Sequence, residues 1–423
     1  MGKRNRRAAA AGALAGAMML ATAGAASAET LKFVSWQKDE RGVGDWWAEL
    51  IRRFEETHPG VTIEWTKVER GAYADTMTTL FAGGQPPHIV HLASFEYQNF
   101  ADNGFLEPLD PWIERAGIDM TGWAGQNTCR WEDQTMCVMM LYFGFIMGVN
   151  DDILAAEGLE VPTNWEEYRA VLEKTTKDLN GDGILDQFGT GHETRGGGGQ
   201  YVTEMLSYIL DAGAYWTDSE GNVTIDTPVM AEGLSRWKEV VSKNYTPRDL
   251  TAGEVRKLFA DGKIALKLDG PWLYPIMEQG AAFQSLSVQK PSFDPPLGGS
   301  SNVLAMPADI TDEQKALVWD FIALAMSPEF QTKYATVANS TPPSPSADTS
   351  GATATTPHFQ LLVETQKAAA AAGVDRIPTG LEIQYNEFAK MIQEEAQRMI
   401  IEDLDPAAVA KTMQARAEQI QSQ

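Results

Sequence analysis

The chain is long and acidic: it has 423 residues, and 58 acidic against 34 basic side chains give it a formal net charge of −24. A surface of this sign repels nucleic acid and anionic lipid, so neither is expected as a partner, and it favours a soluble monomer. Ordinary domains hold roughly 50–250 residues, and the length therefore predicts two domains.

Residues 1–28 have the composition of a secretion signal. Four basic side chains within the first seven positions precede an apolar stretch at 8–23, and Ala26-Ser27-Ala28 is a small-residue pattern that signal peptidase accepts. An uncleaved anchor is the alternative, but the apolar run is short for a membrane span. No cysteine follows the apolar run to carry a lipid. We therefore expect a cleaved signal peptide and a periplasmic protein.

The mature chain opens with alternating strands and helices. A strand at 31–36 is followed by an amphipathic helix at 43–57, a strand at 61–65, a short helix around Met77 and a buried strand at 89–92. This β-α-β-α-β order indicates an α/β domain with a largely parallel sheet.

The two cysteines, Cys129 and Cys137, lie eight positions apart on either side of a polar, turn-like stretch. In an oxidising compartment this spacing predicts one disulfide that closes a hairpin. A metal-binding or catalytic thiol pair is the alternative.

The sharpest local motif is DLNGDGILD at 178–186. Its oxygen donors fall at loop positions 1, 3, 5 and 9, with a glycine at position 6, as in the calcium loop of an EF-hand. Position 12 is Gly189 instead of the usual glutamate, so a structural calcium requires another carboxylate, such as that of Glu193. The alternative is a turn whose side chains bond their own backbone. The candidate calcium ligands are Asp178, Asn180, Asp182, Ile184 and Asp186.

A run of four glycines follows Arg195, just before a helix predicted at about 200–212. Glycine lets backbone N–H groups approach a ligand closely, as a ligand-contacting loop requires, and a plain flexible connector is the alternative. The Lys-Ser/Thr ending of a phosphate loop is absent.

The rest of the chain is mainly helical in its patterns. Capping boxes at 163–166 and 311–314 predict two helix starts. Residues 339–357 are rich in Ser, Thr, Pro and Ala and predict a long loop or crossover. An apolar stripe at 385–399 and a start at Asp405-Pro406 predict the last two helices.

Tryptophan is abundant, with 12 residues. Aromatic rings stack on the apolar faces of sugars, a contact that contributes about 1 kcal/mol beyond its buried area, while polar side chains satisfy the hydroxyl groups. Trp36 and Trp272 stand where predicted strands end, at 31–36 and 264–268. Because ligands of open α/β sheets bind beyond the carboxyl ends of strands, we expect both as ligand contacts.

The sequence offers little for catalysis. Among its five histidines, His88 and His91 have a metal-like spacing, but residues three apart on a strand face opposite sides. GxSxG, Walker and HExxH motifs are absent from the sequence. We expect a protein that is not an enzyme; a pair of glycosidase carboxylates, which need only meet in space, is the alternative.

Nine segments occur in an order and spacing that carry a resemblance to a known family. They are LKFVSW, FEETHPGVTIEW, LFAGGQPPHIVHL, FADNGFLEPLDPW, LYFGFIMGVND, VPTNWEEYRAVLEK, FADGKIALKLDGPW, GGSSNVLAMP and SPEFQTKYA. This succession resembles the extracellular solute-binding proteins of ABC importers, in particular the group of maltose- and other sugar-binding proteins. The resemblance implies two α/β lobes, each a mainly parallel sheet flanked by helices, joined by hinge crossings around a ligand cleft. The N-terminal lobe would comprise 29–142 with about 290–340, and the C-terminal lobe about 143–289 with about 341–423.

The resemblance also implies which residues contact the ligand. In the family, the aromatic residue of a GPW segment, here Trp272, commonly forms the platform for the ligand. Phe95-Glu96 stands where maltose binders have an Asp-Arg pair, which argues against maltose itself. His88 stands where the family usually has an aspartate. The contacts carried over by position are Trp36, Gln37, Lys38, Phe95, Glu96, Tyr142, Arg195, Gly196, Gly197, Trp272, Asn302 and Arg376.

The function expected from the resemblance is capture of a sugar, oligosaccharide or polyol-type solute and its delivery to the transmembrane subunits of an ABC importer. No cofactor is required for that function. The alternatives are a secreted carbohydrate-active enzyme, a binder of glycerol-phosphate-type solutes, and an adhesive or sensory binding protein without an importer.

Overall fold

The computed structural model describes residues 29–195, 198–273, 286–289, 291–356, 358–373 and 375–423, so the predicted secretion signal and the predicted contacts Gly196 and Gly197 lie outside the described residues. The strands are β1 (Glu29–Ser35), β2 (Val61–Lys67), β3 (Ile89–Ala93), β4 (Arg130–Trp131), β5 (Gln134–Thr135), β6 (Val138–Gly144), β7 (Ile146–Asn150), β8 (Phe188–Thr190), β9 (Ile264–Asp269), β10 (Leu286–Gln289) and β11 (Gly298–Ala305). The helices are α1 (Val43–Thr57), α2 (Arg70–Ala82), α3 (Tyr97–Asp102), α4 (Asp110–Ala116), α5 (Asp151–Ala156), α6 (Trp165–Thr175), α7 (Gly198–Asp211), α8 (Pro228–Ser242), α9 (Ala252–Ala260), α10 (Asp312–Met326), α11 (Pro328–Thr336), α12 (Ser350–Thr355), α13 (Phe359–Ala372), α14 (Tyr385–Ile401) and α15 (Pro406–Gln421).

The first sheet has the strand order β2-β1-β3-β11-β6. Its strands β2, β1 and β3 run parallel, as the β-α-β-α-β order predicts. β11 comes from much later in the chain and is antiparallel to both β3 and β6. The sheet is therefore mixed. The prediction of a largely parallel sheet holds only for the opening unit, whose sequence contains no information about a strand so far along the chain.

The second sheet has the order β10-β7-β9-β8. β7 is antiparallel to both of its neighbours, and of the described pairs only β8 and β9 are parallel. The sheet is thus mainly antiparallel, which corrects the mainly parallel arrangement that the resemblance implied. β7 continues directly from β6 of the first sheet, so it is not the first strand of a β-α-β unit, which is the arrangement that gives parallel neighbours.

The chain crosses between the two sheets at Gly144 and Phe145, which end β6 and precede β7. Gly144 packs directly on the backbone of α13: a Cβ atom at this position would lie 2.3 Å from the carbonyl carbon of Thr365. Only glycine allows such a close approach of two backbones. The crossing is therefore held against α13.

Each sheet has its own set of flanking helices. The helix predicted at 43–57 is α1, and its apolar stripe, which includes Trp46, Trp47 and Phe54, is buried as the helical period predicts. Trp47 packs on Phe33 of β1 with 5.1 Å between ring centroids. Helices α10 and α11 pack against α1, while α7, α8, α14 and α15 pack together beside the second sheet.

The two predicted capping boxes have different outcomes. At the start of α10, Thr311 Oγ1 accepts from the Gln314 N–H, and Gln314 Oε1 accepts from the Thr311 N–H, which confirms that box. At the start of α6 the cap is one position later than predicted. Asn164 Oδ1 accepts from the Glu167 N–H at 3.0 Å, and the Glu167 carboxylate accepts from the N–H of Thr163 at 2.8 Å. The asparagine amide competes with the threonine hydroxyl for the same role.

The segment predicted as a loop at 339–357 contains the short helix α12. Within it the hydroxyl groups of Thr353 and Thr355 donate to backbone carbonyls four positions earlier, at 3.0 and 2.9 Å. Because threonine hydroxyls can be satisfied inside a helical turn in this way, Ser/Thr-rich composition alone is a weak sign of a loop.

The predicted disulfide is present: Cys129 and Cys137 are bonded, with 5.2 Å between their Cα atoms. The bond closes the hairpin of β4 and β5, which pair antiparallel. In the part of the chain that the structure describes, no helix combines the length and the apolar character that crossing a bilayer requires.

Candidate functional site

Trp36 follows β1 and forms the first-sheet end of the candidate site. Its ring stacks on His91, with 4.1 Å between centroids and 16° between planes, and meets Tyr73 edge-on at 4.8 Å. Burial lowers the pKa of His91 to about 3, so this imidazole is neutral and packs as an aromatic surface. The guanidinium carbon of Arg70 lies 4.9 Å from the Trp36 ring centroid. The indole is 8% exposed, so the protein already covers most of it.

Phe95 and Glu96 follow β3, next to Trp36. The buried Glu96 carboxylate pairs with Arg70 at 2.7 Å and accepts from the Ala93 N–H at 3.2 Å. The Arg70 guanidinium carbon also lies 5.4 Å from the Phe95 ring centroid. One guanidinium of α2 therefore bridges the ends of β1 and β3 and touches the aromatic ring at each.

Arg376 connects this first-sheet cluster to the crossing between the sheets. Its guanidinium carbon lies 4.9 Å from the ring centroid of Phe95 and 5.1 Å from that of Phe143 in β6. Tyr385, at the start of α14, lies 5.4 Å from Phe95, and Phe143 meets Trp272 edge-on at 5.1 Å. Burial lowers the pKa of Arg376 to about 10, which leaves the guanidinium charged at neutral pH.

Trp272 follows β9 and forms the second-sheet end of the site. Its ring is half-buried, and its Nε1–H donates to Asp269 Oδ1 at 2.5 Å. Arg256 of α9 donates to both oxygens of Asp269, at 2.8 and 3.0 Å, and its guanidinium carbon lies 5.6 Å from the Trp272 ring centroid. Burial disfavours the charged form of Asp269, but Arg256 and Lys267 hold its pKa well below its usual range.

These contacts form one continuous series of rings and guanidinium groups that links strand ends of both sheets, and we call it the interlobe chain. Aromatic rings offer faces for apolar C–H surfaces, and guanidinium groups offer several fixed N–H donors. The members that retain accessible surface are Trp272, Arg70 and Arg256, so the accessible part of the series combines one ring face with two guanidinium groups and suits a ligand that has both an apolar face and oxygen acceptors. The members of the interlobe chain are Trp36, Arg70, Phe95, Arg376, Phe143, Trp272 and Arg256.

A buried network of charges lies beneath the second-sheet end. Lys267, which is 1% exposed, has its Nζ atom 3.4 Å from Asp269 Oδ2 and 3.6 Å from Glu204 Oε2. Glu204 in turn lies 2.8 Å from His192 Nδ1, and burial lowers the pKa of that imidazole. Removing one charge from such a buried network leaves its partner uncompensated, a loss of about 3–5 kcal/mol. The network therefore holds Asp269 in place.

Glu40 marks the space between the lobes. Its side chain is exposed to solvent, yet desolvation by the surrounding protein raises its pKa to about 7, against the opposing effects of Arg256, a hydrogen bond to Gln37, and Arg70. Glu40 follows β1 of the first sheet, whereas Arg256 belongs to α9 beside the second. The charged groups that act on Glu40 therefore come from beside both sheets.

The structure brings together some of the contacts predicted from sequence. Four predicted contacts belong to the interlobe chain: Trp36, Phe95, Trp272 and Arg376. A fifth, Glu96, pairs with its member Arg70. Tyr142 is half-buried directly before Phe143, and burial, together with nearby Asp375, raises its pKa to about 12. It thus borders the crossing.

The remaining predicted contacts have other surroundings. Lys38 Nζ donates to the Trp65 carbonyl oxygen at 2.5 Å, and Arg195 is exposed and paired with Glu254 at 2.7 Å. Gln37 is buried and accepts from Trp47 Nε1 at 3.0 Å. Asn302 is buried in β11, where Ser301 Oγ donates to it at 3.2 Å. None of these four has a described contact with a ring of the interlobe chain.

The 178–186 loop lies apart from this site and is held by its own backbone. Asp178 accepts from the N–H groups of Gly181 and Gly183, both at 2.7 Å, and Asn180 accepts from the Asp182 N–H at 2.9 Å. This is the alternative arrangement considered above, with Ile184 exposed. Over the described ranges, no three His, Cys, Asp or Glu side chains come together in a group that could hold a metal. The calcium site stays a prediction.

Several members of the site were not predicted from sequence. Arg70, Arg256 and Phe143 lie in helices or strands whose local patterns do not distinguish them from structural residues. Asp269 directly precedes the GPW segment, and that adjacency is the one sequence signal that could have pointed to it. Two surface cavities lie away from the interlobe chain. One, of about 330 Å³, lies between α14 and α15, and the other, of about 440 Å³, lies beside the 178–186 loop.

Two sheets, each with its own flanking helices and joined at one crossing, define a two-lobed α/β protein. Residues 37–332 match the family model described as bacterial extracellular solute-binding protein, and the chain belongs to this family. A curated relative from Escherichia coli K12 carries the provisional name ABC transporter periplasmic-binding protein YcjN. It is 25% identical over 241 residues, which are 55% of this chain and 54% of the relative. The chain thus matches about half the length of that relative.

Solved structures share the fold over nearly the whole chain. A solute-binding protein from Thermotoga lettingae TMO, bound to α-D-tagatose, has a TM-score of 0.79 at 19% identity and covers 93% of this chain and 100% of its own. The GacH receptor of Streptomyces glaucescens GLA.O, solved unliganded and with acarbose, has a TM-score of 0.77 at 18% identity, with 93% and 99% coverage. These comparisons confirm the family resemblance and the two-lobed α/β fold.

Proposed function

We propose that this protein is the solute-binding component of an ABC importer. It captures a sugar, oligosaccharide or polyol-type solute between its lobes and delivers it to the transmembrane subunits. The observation that carries the proposal is the interlobe chain, in which Arg376 touches Phe95 beyond the first sheet and Phe143 at the crossing, and Phe143 touches Trp272 beyond the second. A solute that contacts members at both ends of the interlobe chain contacts both lobes.

The side chains of the interlobe chain support a polyhydroxylated solute. Each buried polar group left without a partner loses about 1–3 kcal/mol, so a cleft with several guanidinium and carboxylate groups favours a ligand that can satisfy them. The rings accept the apolar faces of the same molecule. Binding of tagatose by the Thermotoga protein and of acarbose by GacH is consistent with this class of solute.

We expect the two lobes to divide as the sequence predicts. Residues 29–142 with about 290–340 would form the first lobe, since β1, β2, β3 and β11 share one sheet. Residues from about 143 to 289 with 341–423 would form the second, since β7 to β10 share the other sheet and α14 and α15 pack with α7 and α8. The crossing at Gly144, together with the later returns of the chain, would be the hinge.

The mechanism follows from contact with both lobes. Open and closed forms exchange by rotation about the hinge, and a ligand favours closure only by the free energy of contacts that it makes in the closed form alone. The closed form is then the one presented to the importer. The protein is not an enzyme in this account, and its acidic mature chain acts in the periplasm after cleavage of residues 1–28.

A thermal-shift screen of sugars and polyols on the purified mature protein tests the function. A ligand at 100 times its dissociation constant stabilises the folded state by about 2.7 kcal/mol, which a melting curve detects easily. Small-angle scattering with the best compound should show a more compact particle. A panel in which no compound shifts the melting point and none changes the scattering profile would refute the proposal, and turnover of a glycoside would establish the enzyme instead.

A further inference from the structure

One carboxylate holds two members of the interlobe chain at once. Asp269, which is 2% exposed, accepts from Trp272 Nε1 at 2.5 Å, from Arg256 Nε at 2.8 Å and from Arg256 Nη2 at 3.0 Å. It also accepts from the Gly270 N–H at 2.9 Å, and Lys267 Nζ lies 3.4 Å away. Neither the indole nor the guanidinium can change rotamer without breaking a charge-assisted hydrogen bond to this side chain.

Arg256 uses only one edge of its guanidinium to hold Asp269. Because the guanidinium is a rigid plane, use of the Nε and Nη2 edge by Asp269 turns Nη1 away from that carboxylate. The Arg256 side chain is 16% exposed, and its charge acts on Glu40 of the opposite lobe. Nη1 thus has N–H groups that Asp269 does not use, on a guanidinium whose carbon lies 5.6 Å from the Trp272 ring centroid.

We propose that Arg256 and Trp272 bind the solute as a single unit and that Asp269 is the positioning residue of that unit. Trp272 stacks on an apolar face of the sugar or polyol, and Arg256 donates to an oxygen on the edge of the same molecule. This inference rests on the proposed function and adds to it a specific pair of contacts in the second lobe.

The buried network explains why the unit is ordered before the ligand arrives. Lys267 lies between Asp269 and Glu204, and Glu204 is paired with His192, so the Asp269 carboxylate is fixed from behind. A binding site whose side chains are already ordered loses less conformational entropy when a ligand binds. The network therefore favours affinity without touching the solute.

Another arginine of the protein, Arg236, is a matched control for Arg256. Arg236 is 15% exposed, pairs with Asp211 at 2.6 Å and lies with its guanidinium carbon 5.2 Å from the Trp165 ring centroid. It has the same kind of burial, carboxylate and aromatic neighbour as Arg256, but it lies on α8 away from the interlobe chain. Arg236→Gln should therefore reproduce the general effects of losing such an arginine.

The test measures affinity and the indole signal separately. We titrate the wild type, Arg256→Gln, Arg256→Lys, Asp269→Asn and Arg236→Gln with the sugar and polyol panel by calorimetry. Loss of a hydrogen bond to a charged group predicts binding about 10–100-fold weaker in Arg256→Gln, and similarly in Arg256→Lys because lysine lacks the planar fork, with unchanged affinity in Arg236→Gln. Equal affinity in folded Arg256→Gln and wild type would overturn the inference.

The indole N–H resonance reports on positioning without any solute. Its assignment comes from the peak that Trp272→Phe removes. We expect a downfield, slowly exchanging signal in the wild type that moves upfield in Asp269→Asn, because an amide is a weaker acceptor than a carboxylate. An unmoved signal in folded Asp269→Asn would refute the positioning role. If Asp269→Asn does not fold, Arg256→Gln still decides, and a wild type that binds no panel member counts against the proposed function itself.

Discussion

Replacement of Trp272 by alanine is expected to weaken solute binding strongly while the second lobe stays folded. The half-buried ring has an edge contact with Phe143, a hydrogen bond to Asp269 and the Arg256 guanidinium 5.6 Å from its centroid, of which the first two dominate. Losing these costs about 0.5–1.5 kcal/mol for the ring pair and about 1–3 kcal/mol for the hydrogen bond. Proteins of ordinary stability, about 5–15 kcal/mol, remain folded after such a loss.

The effect of this substitution on affinity should be larger than its effect on stability. Truncating a tryptophan at the centre of a binding site typically costs about 2–4 kcal/mol, which is about 30- to 1000-fold in the dissociation constant. A micromolar solute would then bind with a dissociation constant between tens of micromolar and millimolar. The expected loss is large because, among the described residues that follow strands of the second sheet, only Trp272 contributes a ring to the interlobe chain.

Titration calorimetry with the best compound of the panel measures the change, and circular dichroism confirms that the variant is folded. Trp112→Ala is the matched control: Trp112 is also half-buried and has a guanidinium, that of Arg115, 4.9 Å from its ring centroid, but it lies on α4. The control should keep wild-type affinity. A folded Trp272→Ala protein with the wild-type dissociation constant would remove Trp272 from the site and refute the reasoning.

Three further predictions concern stability. Serine at both Cys129 and Cys137 should lower the free energy of unfolding by about 2–3 kcal/mol, measured by urea denaturation, and an unchanged value would show that the disulfide constrains nothing. EDTA should leave the melting point unchanged, because no three His, Cys, Asp or Glu side chains of the described residues come together to hold a metal; a calcium-dependent rise that Asp178→Ala abolishes would establish the metal site. Burial raises the pKa of Glu193 to about 7 from 4.5, so folding disfavours its ionisation and stability falls as the pH rises between these values. Glu193→Gln should therefore be more stable than the wild type by up to about 3 kcal/mol at pH 8 and equal to it at pH 4, and equal stability at both pH values would contradict this.

Features set by neighbouring residues were predictable from the sequence. The apolar stripe of α1 and the disulfide hairpin both depend on short-range spacing. The position of Trp272 beyond a strand end depends on one strand and one turn. Strand direction in the second sheet was not predictable in this way, because it depends on how β7 leaves the first sheet.

The buried network shows why half of the site was missed. The apolar positions of β9, Ile264, Leu266 and Leu268, alternate with Lys267, which places that lysine on a solvent-facing side by sequence. In the structure Lys267 is 1% exposed, because α7 covers this face of the strand and supplies Glu204 as its partner. Glu204 lies far from Lys267 in sequence, and only packing brings the two charges together. The same holds for Arg256, whose role depends on Asp269.

The two ends of the interlobe chain are ordered by different forces. Trp36 is fixed by ring packing on His91, which stays neutral because burial lowers its pKa to about 3. Trp272 is fixed through Asp269 by ion pairs so buried that salt screens them little. A secreted protein meets variable salt and pH, and neither arrangement depends strongly on them near neutrality. Because both ends are ordered in advance, the free energy of solute binding can go into holding the lobes together rather than into ordering side chains.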